Sequence, residues 1–202
     1  MGPAARYLAA MRLLRRRSTS AALPSRLAAL VPGREQVLGA VPLDGDGRRW
    51  AVATVEHLVV LDGVVVEARH GWDSVTHGSW DAQERAFTLE LLHDGEPLVL
   101  TVPEQVAVAG RGSGPAVDER AFAAALRHRV NAAIVHHATD TLPSGRRATA
   151  SIRRRADGSL YSVTDPPLDG GGREDQALDA DDVDALLALE SRVRDGVGLP
   201  TP

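Results

Sequence analysis

The sequence predicts an α+β protein in which an antiparallel β unit closed by one helix is followed by a smaller β-sheet and a terminal amphipathic helix. Three observations lead to this prediction. Asp-Gly dipeptides separate short apolar runs over the first half of the chain, which is the pattern of β-hairpins. A stripe of apolar residues with helical spacing follows near residue 120. Further short runs then precede a charged, amphipathic segment at the C-terminus.

The composition is that of a globular protein with a core of small side chains. The chain has 202 residues, of which 44% are hydrophobic and only 3% aromatic, so we expect one main unit with an extension. Cysteine is absent, which excludes disulfides, thiolate metal sites and a cysteine nucleophile. No apolar run approaches the ~20 residues of a membrane-spanning helix. The net charge of −4 does not favour general binding of polyanions. We therefore expect a soluble, cytoplasmic protein.

Residues 1–23 are predicted to form a basic, disordered tail. The first 34 residues contain no acidic side chain, and a triple arginine follows a short apolar patch. This composition resembles that of a transit peptide. A frayed tail, with translation starting at Met1 or Met11, is the simpler interpretation, and we expect residues 1–18 to be dispensable for folding. Pro24 then suits the first turn of a short helix.

Residues 24–133 are predicted to form the main unit. Between residues 35 and 103, about seven short strands follow one another in meander order, each marked by an Asp-Gly turn or by period-two alternation. A helix comes next, with Phe122, Leu126 and Val130 on one stripe. Seven antiparallel strands capped by one helix are the layout of a pleckstrin-homology-like β-barrel.

The same region resembles a known family. The runs WAVATVEHLVVLDG, WDSV, SWDAQERAFTLEL and FAAALRHRVNAAIV are similar to a family of uncharacterised bacterial proteins with a pleckstrin-homology-like domain, common in high-GC Gram-positive genomes. The resemblance extends over roughly residues 24–165. All 23 basic residues are arginine, which is typical of a high-GC genome. The resemblance implies the barrel fold and a bacterial source, but no catalytic residue, because the shared motifs are core and turn residues.

The stretch GWDSVTHGSWD contains two of the three tryptophans of the chain, Trp72 and Trp80. They could form a base-stacking platform or fill the core. We favour the core, because stacking sites also need a basic groove and acidic residues flank this stretch. Regular alternation puts Val75 and Trp80 on opposite faces, so a bulge at Gly78 is expected to bring both inside. The predicted core residues are Trp72, Trp80, Phe87, Phe122 and Leu126.

The C-terminal part is predicted to form a separate small layer. Residues 134–165 read as a β extension of three strands, the last two joined by Asp157-Gly158. Residues 166–178, rich in Pro and Gly, are a predicted linker. Residues 179–196 are predicted to form an amphipathic helix, with an apolar stripe of Val183, Leu186, Leu187 and Val193. The stripe can dock on its own chain or on a partner, and we favour its own chain because the linker is short.

No catalytic motif is found in the sequence. A phosphate loop, a dinucleotide fingerprint, a nucleophile elbow and a His-Glu-x-x-His segment are all missing. The glycine-rich run at residues 110–114 has no lysine and is a predicted linker. The adjacent His136 and His137 point to opposite faces of a strand and cannot readily bind one metal. We therefore expect no enzymatic activity, no cofactor and no metal.

Arginine clusters are the remaining candidate contacts for an anion: Arg48, Arg49, Arg146, Arg147, Arg153 and Arg155. Pleckstrin-homology-like domains that hold phosphoinositides use basic residues around their first hairpin. Here two aspartates precede Arg48 in that hairpin and would repel a phosphate. Arg153 and Arg155 share one face of a strand, which is predicted to be solvated.

The leading hypothesis for the function is a non-enzymatic cytoplasmic binding or scaffold module with an unknown protein partner. Its sheet edges, and the groove beside the capping helix, are the expected recognition surfaces. The alternative is a peripheral module that binds anionic lipid or nucleic acid through the arginine clusters. Homo-oligomerisation is left open.

Overall fold

The computed structural model of the chain describes residues 21–92, 96–107, 114–168 and 178–200. The predicted basic tail up to residue 20, most of the glycine-rich run and residues 169–177 of the predicted linker lie outside the described residues. Within these ranges the chain is an α+β protein, as the sequence predicts, with mostly antiparallel sheets and few helices. No helix of the described part is long and apolar enough to cross a membrane.

The described elements follow the predicted order. The α-helices are α1 (Ser25–Ala28), α2 (Arg120–Ala133) and α3 (Ala180–Asp195). Short 3-10 turns occupy Pro32–Arg34 and Trp72–Ser74. The strands are β1 (Val37–Pro42), β2 (Arg49–Thr54), β3 (His57–Asp62), β4 (Val65–Gly71), β5 (Val75–Asp81), β6 (Ala86–Leu91), β7 (Leu98–Thr101), β8 (Ile134–Thr141), β9 (Arg147–Arg154) and β10 (Leu160–Asp165).

The ten strands form three antiparallel sheets in which neighbours in sequence are neighbours in space. Strands β1 to β4 form a four-stranded sheet, β5 to β7 a three-stranded sheet, and β8 to β10 a second three-stranded sheet. The predicted pleckstrin-homology-like barrel is not confirmed, because the first seven described strands do not close into a barrel but divide into two sheets without a hydrogen-bonded ladder between them. Side-chain packing therefore joins these two sheets.

Helix α2 joins the first two sheets by packing against β1, β2 and β5. Its predicted stripe is buried, with Phe122 fully inaccessible. Two glycines allow the helix to come close. A Cβ atom on Gly39 of β1 would lie 2.7 Å from the backbone N and Cα of Phe122, and one on Gly78 of β5 would lie 2.9 Å from Cδ2 of Leu126. The helix position thus depends on the lack of a side chain at these two positions.

The main core lies between α2 and the two sheets, and it contains most of the predicted core residues. Trp72, Phe87, Phe122 and Leu126 are all buried in it. Trp72 is 3% exposed, and its indole N–H donates to the carbonyl of Thr54 at 3.1 Å. Trp80 is only partly buried, at the edge of this core. Its ring is tilted on that of Phe87, with 4.4 Å between the ring centroids.

A bulge in β5 brings Val75 and Trp80 to the same face of the sheet, as predicted, but the bulge does not lie at Gly78. The pairing of β5 with β6 shifts between Val75 and His77, which makes Thr76 the extra residue. Val75 is buried, and Trp80 faces the same side of the sheet. Gly78 serves the close approach of α2 instead.

Helix α3 packs on one face of the third sheet, within its own chain. Leu186, Leu189 and Val193 are buried there against Ala148, Ala150 and Ile152 of β9 and neighbouring side chains. The predicted stripe is wrong at Leu187, which is 46% exposed, while Leu189 is 1% exposed. The side chain of Asp179 accepts from the amide of Asp182 at 2.8 Å and caps the start of the helix.

The close contact at Gly39 gives a first prediction. Replacing Gly39 with Ala should lower the free energy of unfolding by about 1–3 kcal/mol, because the added methyl group collides with the backbone of α2. Gly45→Ala is the matched control, since nothing lies within 4 Å of a Cβ there, and its effect should stay within ~0.5 kcal/mol. Urea unfolding of the two variants measures both values. Equal effects would show that α2 does not sit against β1.

The packing of α3 gives a second prediction with a neighbouring control. Leu186→Ala should destabilise the protein by about 2–5 kcal/mol, because it leaves a cavity against the third sheet. Leu187→Ala, on the exposed face, should change stability by no more than ~0.5 kcal/mol. Urea unfolding followed by circular dichroism tests the pair. A larger loss for Leu187→Ala would mean that α3 docks through its other face.

Candidate anion-binding cleft

Arg153 of β9 connects the third sheet to the main unit. Its side chain is buried, and Nη1 donates to the carbonyls of Asp73 and Val75 at 2.9 Å each. These carbonyls belong to the 3-10 turn before β5 and to the first residue of β5. Burial lowers the pKa of Arg153, although the nearby Tyr161 and Asp73 partly oppose this. The predicted solvated position of Arg153 is therefore wrong.

The alternation of β9 explains the position of Arg153. Ala148, Ala150 and Ile152 face α3, so Ser151 and Arg153 point away from that helix. That second face of the strand is also buried at Ser151 and Arg153, because the main unit covers it there. The sequence shows that Arg153 and Ile152 point in opposite directions, but not that the main unit covers the arginine.

Tyr161 strengthens the same junction from β10. It pairs with Arg153 across the strands, and its hydroxyl donates to Oδ2 of Asp73 at 2.9 Å. Burial, followed by the hydrogen bond and the charge of Asp73, raises the pKa of Tyr161 to about 12. The tyrosine thus remains a neutral donor at neutral pH. On its ring face, the guanidinium carbon of Arg155 lies 3.9 Å from the ring centroid, a cation–π contact that orients Arg155.

A cleft of about 240 Å³ lies at this junction. The main unit contributes the β2–β3 turn, the 3-10 turn and the end of α2, and the third sheet contributes the β9–β10 turn. Its lining residues are Val55, Glu56, Trp72, Asp73, Arg129, Ala132, Ala133, Arg154, Arg155, Ala156 and Gly158. The lining therefore combines three arginines and two acidic residues with Val55, Trp72 and three alanines.

Arg129 and Arg154 are the residues of this cleft that sequence reasoning missed. Arg129 lies on α2, and its Nε is buried with no hydrogen-bond partner among the described residues. Arg154 is exposed and lines the cleft together with Arg155. Arg129 precedes Arg154 by 25 positions, so only the three-dimensional docking of the end of β9 and the following turn against α2 brings these charges together. The one signal in the sequence was the run Arg153–Arg155.

The other arginine candidates are not brought to this cleft. Arg49 forms an ion pair with Glu67, with 2.6 Å between Nη2 and Oε1, and the hydrogen bond from this pair raises the pKa of Arg49. Arg48 is exposed beside it. Both backbone amides donate to the carboxylate of Asp44, at 2.9 and 3.0 Å. In the first hairpin, the Arg49 side chain and the Asp44 carboxylate therefore already have partners within the chain.

Arg146 and Arg147 lie at the other end of the third sheet. They belong to the turn between β8 and β9 and to the start of β9, whereas Arg154 and Arg155 follow at its far end. Seven residues of extended strand separate Arg147 from Arg154 by about 23 Å. The predicted clusters thus form three separate sites instead of one basic surface.

A second charged cluster, not expected from the sequence, shares Glu56 with the cleft. It consists of Glu35, Glu56 and His57, whose possible metal-ligand atoms lie within 4.8 Å of one another. Oε1 of Glu35 lies 2.9 Å from Nδ1 of His57 and 3.0 Å from Nη2 of Arg69, and its other oxygen accepts from Thr54. Burial raises the pKa of Glu35, but the bond from Thr54 and the charges nearby outweigh this and lower it. Since Arg69 already supplies a cation to Glu35, we interpret the cluster as an ion-pair network.

The sheet edges of the described part carry features that hinder strand addition. Each register shift lies on an edge strand of its sheet, at β1, β4, β5 and β8. The edge strand β7 has four residues. Bulges and short strands are the usual means of blocking edge-to-edge pairing. This disfavours backbone recognition at these edges and makes the cleft the candidate site that we consider among the described residues.

Neither a protein-family model nor a curated protein sequence matches this chain.

Proposed function

We propose that the chain is a non-enzymatic binding module whose ligand carries an anionic group that enters the junction cleft. One observation carries the proposal: Arg129, Arg154 and Arg155, from two different elements, line a single cleft. None of the ion pairs among the described residues involves any of these three arginines. Asp157 interacts electrostatically with Arg155, but at longer range than an ion pair. Three arginines that share one concave surface favour a negatively charged ligand.

The environment of the cleft strengthens its affinity for an anion. Arg129 emerges from a half-buried position on α2, so part of its desolvation occurs on folding and not on binding. Arg155 is held against Tyr161, which reduces the conformational entropy it loses when a ligand binds. Each hydrogen bond from a charged group to a ligand contributes about 1.5–3 kcal/mol. Two or three such bonds are therefore sufficient for measurable binding of an anion.

The chemistry of the lining favours binding over catalysis. The described residues that line the cleft include Glu56 and Asp73 but no serine, threonine, histidine or lysine. Nucleophilic catalysis requires an activated side chain of that kind beside a base. Asp73 is also engaged by the hydroxyl of Tyr161. Glu56 is the remaining carboxylate of the lining, and no nucleophilic side chain stands beside it there.

The scaffold that we propose for this module is pleckstrin-homology-like. Support for it comes from the meander order of β1 to β7, their division into sheets of four and three strands, and the helix α2 that follows and packs on both. The ligand site that we propose is separate from the first hairpin of this unit, where Asp44 and Glu67 satisfy the local charges. It arises where the third sheet docks, so the C-terminal extension is part of the binding site.

Removing two cleft arginines tests the proposal. The double variant Arg129→Gln with Arg155→Gln should bind sulfate or citrate at least about tenfold more weakly than the unchanged protein, because at least one charge-assisted hydrogen bond is lost. Arg127→Gln is the control, since Arg127 lies on the same helix, is exposed and does not line the cleft. Isothermal titration calorimetry measures the affinities. The proposal fails if neither anion binds, or if Arg127→Gln weakens binding as much.

A further inference from the structure

The charge of the cleft indicates what kind of anion it accepts. Three arginines and two acidic residues, Glu56 and Asp73, line it, which leaves one net positive charge among the lining residues. The carboxylate of Asp73 already accepts from the hydroxyl of Tyr161, 2.9 Å from its Oδ2. Three arginines in one cleft can donate to several oxygens of one ligand, which suits a compact dianion better than a single carboxylate.

The size of the cleft limits how much of a ligand enters. Its volume of about 240 Å³ is smaller than the roughly 300–1,000 Å³ of sites that enclose a drug-sized molecule. Only a terminal group fits, and the rest of the ligand stays outside. A phosphodiester within a polymer continues on both sides and carries one charge. A phosphate monoester has one covalent attachment, three free oxygens and a charge of about −1.5 to −2.

The arrangement of donors also suits a group with three oxygens. Arg129 belongs to α2, Arg154 ends β9 and Arg155 begins the β9–β10 turn, so the three donors come from two separate parts of the chain. The buried Nε of Arg129 has no partner among the described residues. A buried donor without a partner is unfavourable, and a hydrogen bond to a ligand oxygen would remove this cost.

We infer that the cleft between α2 and the β9–β10 turn binds a phosphate monoester. Small metabolites and phosphorylated side chains both carry such a group. This inference rests on the proposed function and names the chemical class of its ligand. The apolar floor formed by Trp72, Ala132 and Ala133 contacts the carbon atoms next to the phosphate. Arg129, Arg154 and Arg155 bind its oxygens.

The pH dependence of binding separates a phosphate monoester from a carboxylate. The probe is N-acetyl-O-phosphoserine amide, whose second pKa of about 6 makes it a dianion at neutral pH. Its apparent affinity should fall about fourfold between about pH 7.5 and pH 5.5, since the dianionic fraction falls by that factor. N-acetyl-aspartate amide, whose carboxyl has a pKa of about 3.9, should bind at least about tenfold more weakly at pH 7.5 and show little change.

Protonation of the protein groups around the cleft cannot explain a loss of anion binding toward acid. The arginines stay charged over this range, and Tyr161 stays neutral. The carboxylates near the cleft are Glu56, Asp73 and Asp157, and the imidazole near it is that of His57; a proton added to a carboxylate removes a negative charge, and one added to an imidazole adds a positive charge. Each of these protein changes strengthens anion binding as the pH falls, which is opposite to the expected loss. His57→Gln removes the histidine contribution and should leave the fourfold fall in place.

The outcomes separate the inference from the proposed function. Phosphoserine binding that falls toward acid and is lost in the Arg129→Gln and Arg155→Gln double variant supports both. The phosphate monoester is overturned as the ligand if the aspartate probe binds equally well or more tightly. It is also overturned if a single-stranded oligonucleotide or anionic phospholipid vesicles bind more tightly. In either case the proposed anion site still stands, provided that binding requires the arginines. If no anion tested binds at pH 7.5, both are overturned.

Discussion

The buried guanidinium of Arg153 is the contact on which the proposed site depends. It inserts from β9 into the main unit and donates to two backbone carbonyls at its surface. Burying a charge is unfavourable unless hydrogen bonds compensate, and its lowered pKa reflects that cost. The two bonds fix the end of β9, and with it the turn that carries Arg154 and Arg155, against α2. Without this anchor, Arg129 would have no partner arginines across a cleft.

The main unit supplies a rigid wall for that junction despite having few aromatic side chains. Close approach of α2, permitted by Gly39 and Gly78, lets small residues fill the space between the two sheets. The few large side chains are placed where the helix leaves gaps: Trp72 near the junction and Phe87 against Phe122, with ring centroids 5.1 Å apart. Trp72 serves both roles, since it belongs to this core and lines the cleft. The two tryptophans of the stretch GWDSVTHGSWD thus have different roles: Trp72 is a core residue at the junction, and Trp80 covers the edge of the core.

Much of the fold could be predicted from the sequence because it is encoded locally. Asp-Gly turns and alternation mark the hairpins, and the stripe of Phe122, Leu126 and Val130 marks the buried side of α2. What failed depends on contacts between distant segments. Periodicity alone could not choose between Leu187 and Leu189 for the face of α3, nor place the bulge of β5 at Thr76 instead of Gly78.

The candidate site could be predicted only in part, for the same reason. Alternation correctly put Arg153 and its neighbour Arg154 on opposite faces of β9, but which face is covered follows from how the third sheet docks. Arg129 has no distinguishing signal in the helix sequence, because an arginine beside an apolar stripe is ordinarily solvated. Its relevance appears only when the β9–β10 turn lies across from it.

Hydrogen–deuterium exchange of an Arg153→Met variant tests most directly whether this buried arginine holds the junction together. Methionine is unbranched and apolar, so it keeps much of the packing but loses both hydrogen bonds. The account predicts faster exchange confined to the junction, in residues 72–76 and 150–162, with unchanged protection of β1 to β3. Unchanged exchange at the junction, in a variant that remains folded, would contradict the role assigned to Arg153, as would acceleration spread evenly over the chain.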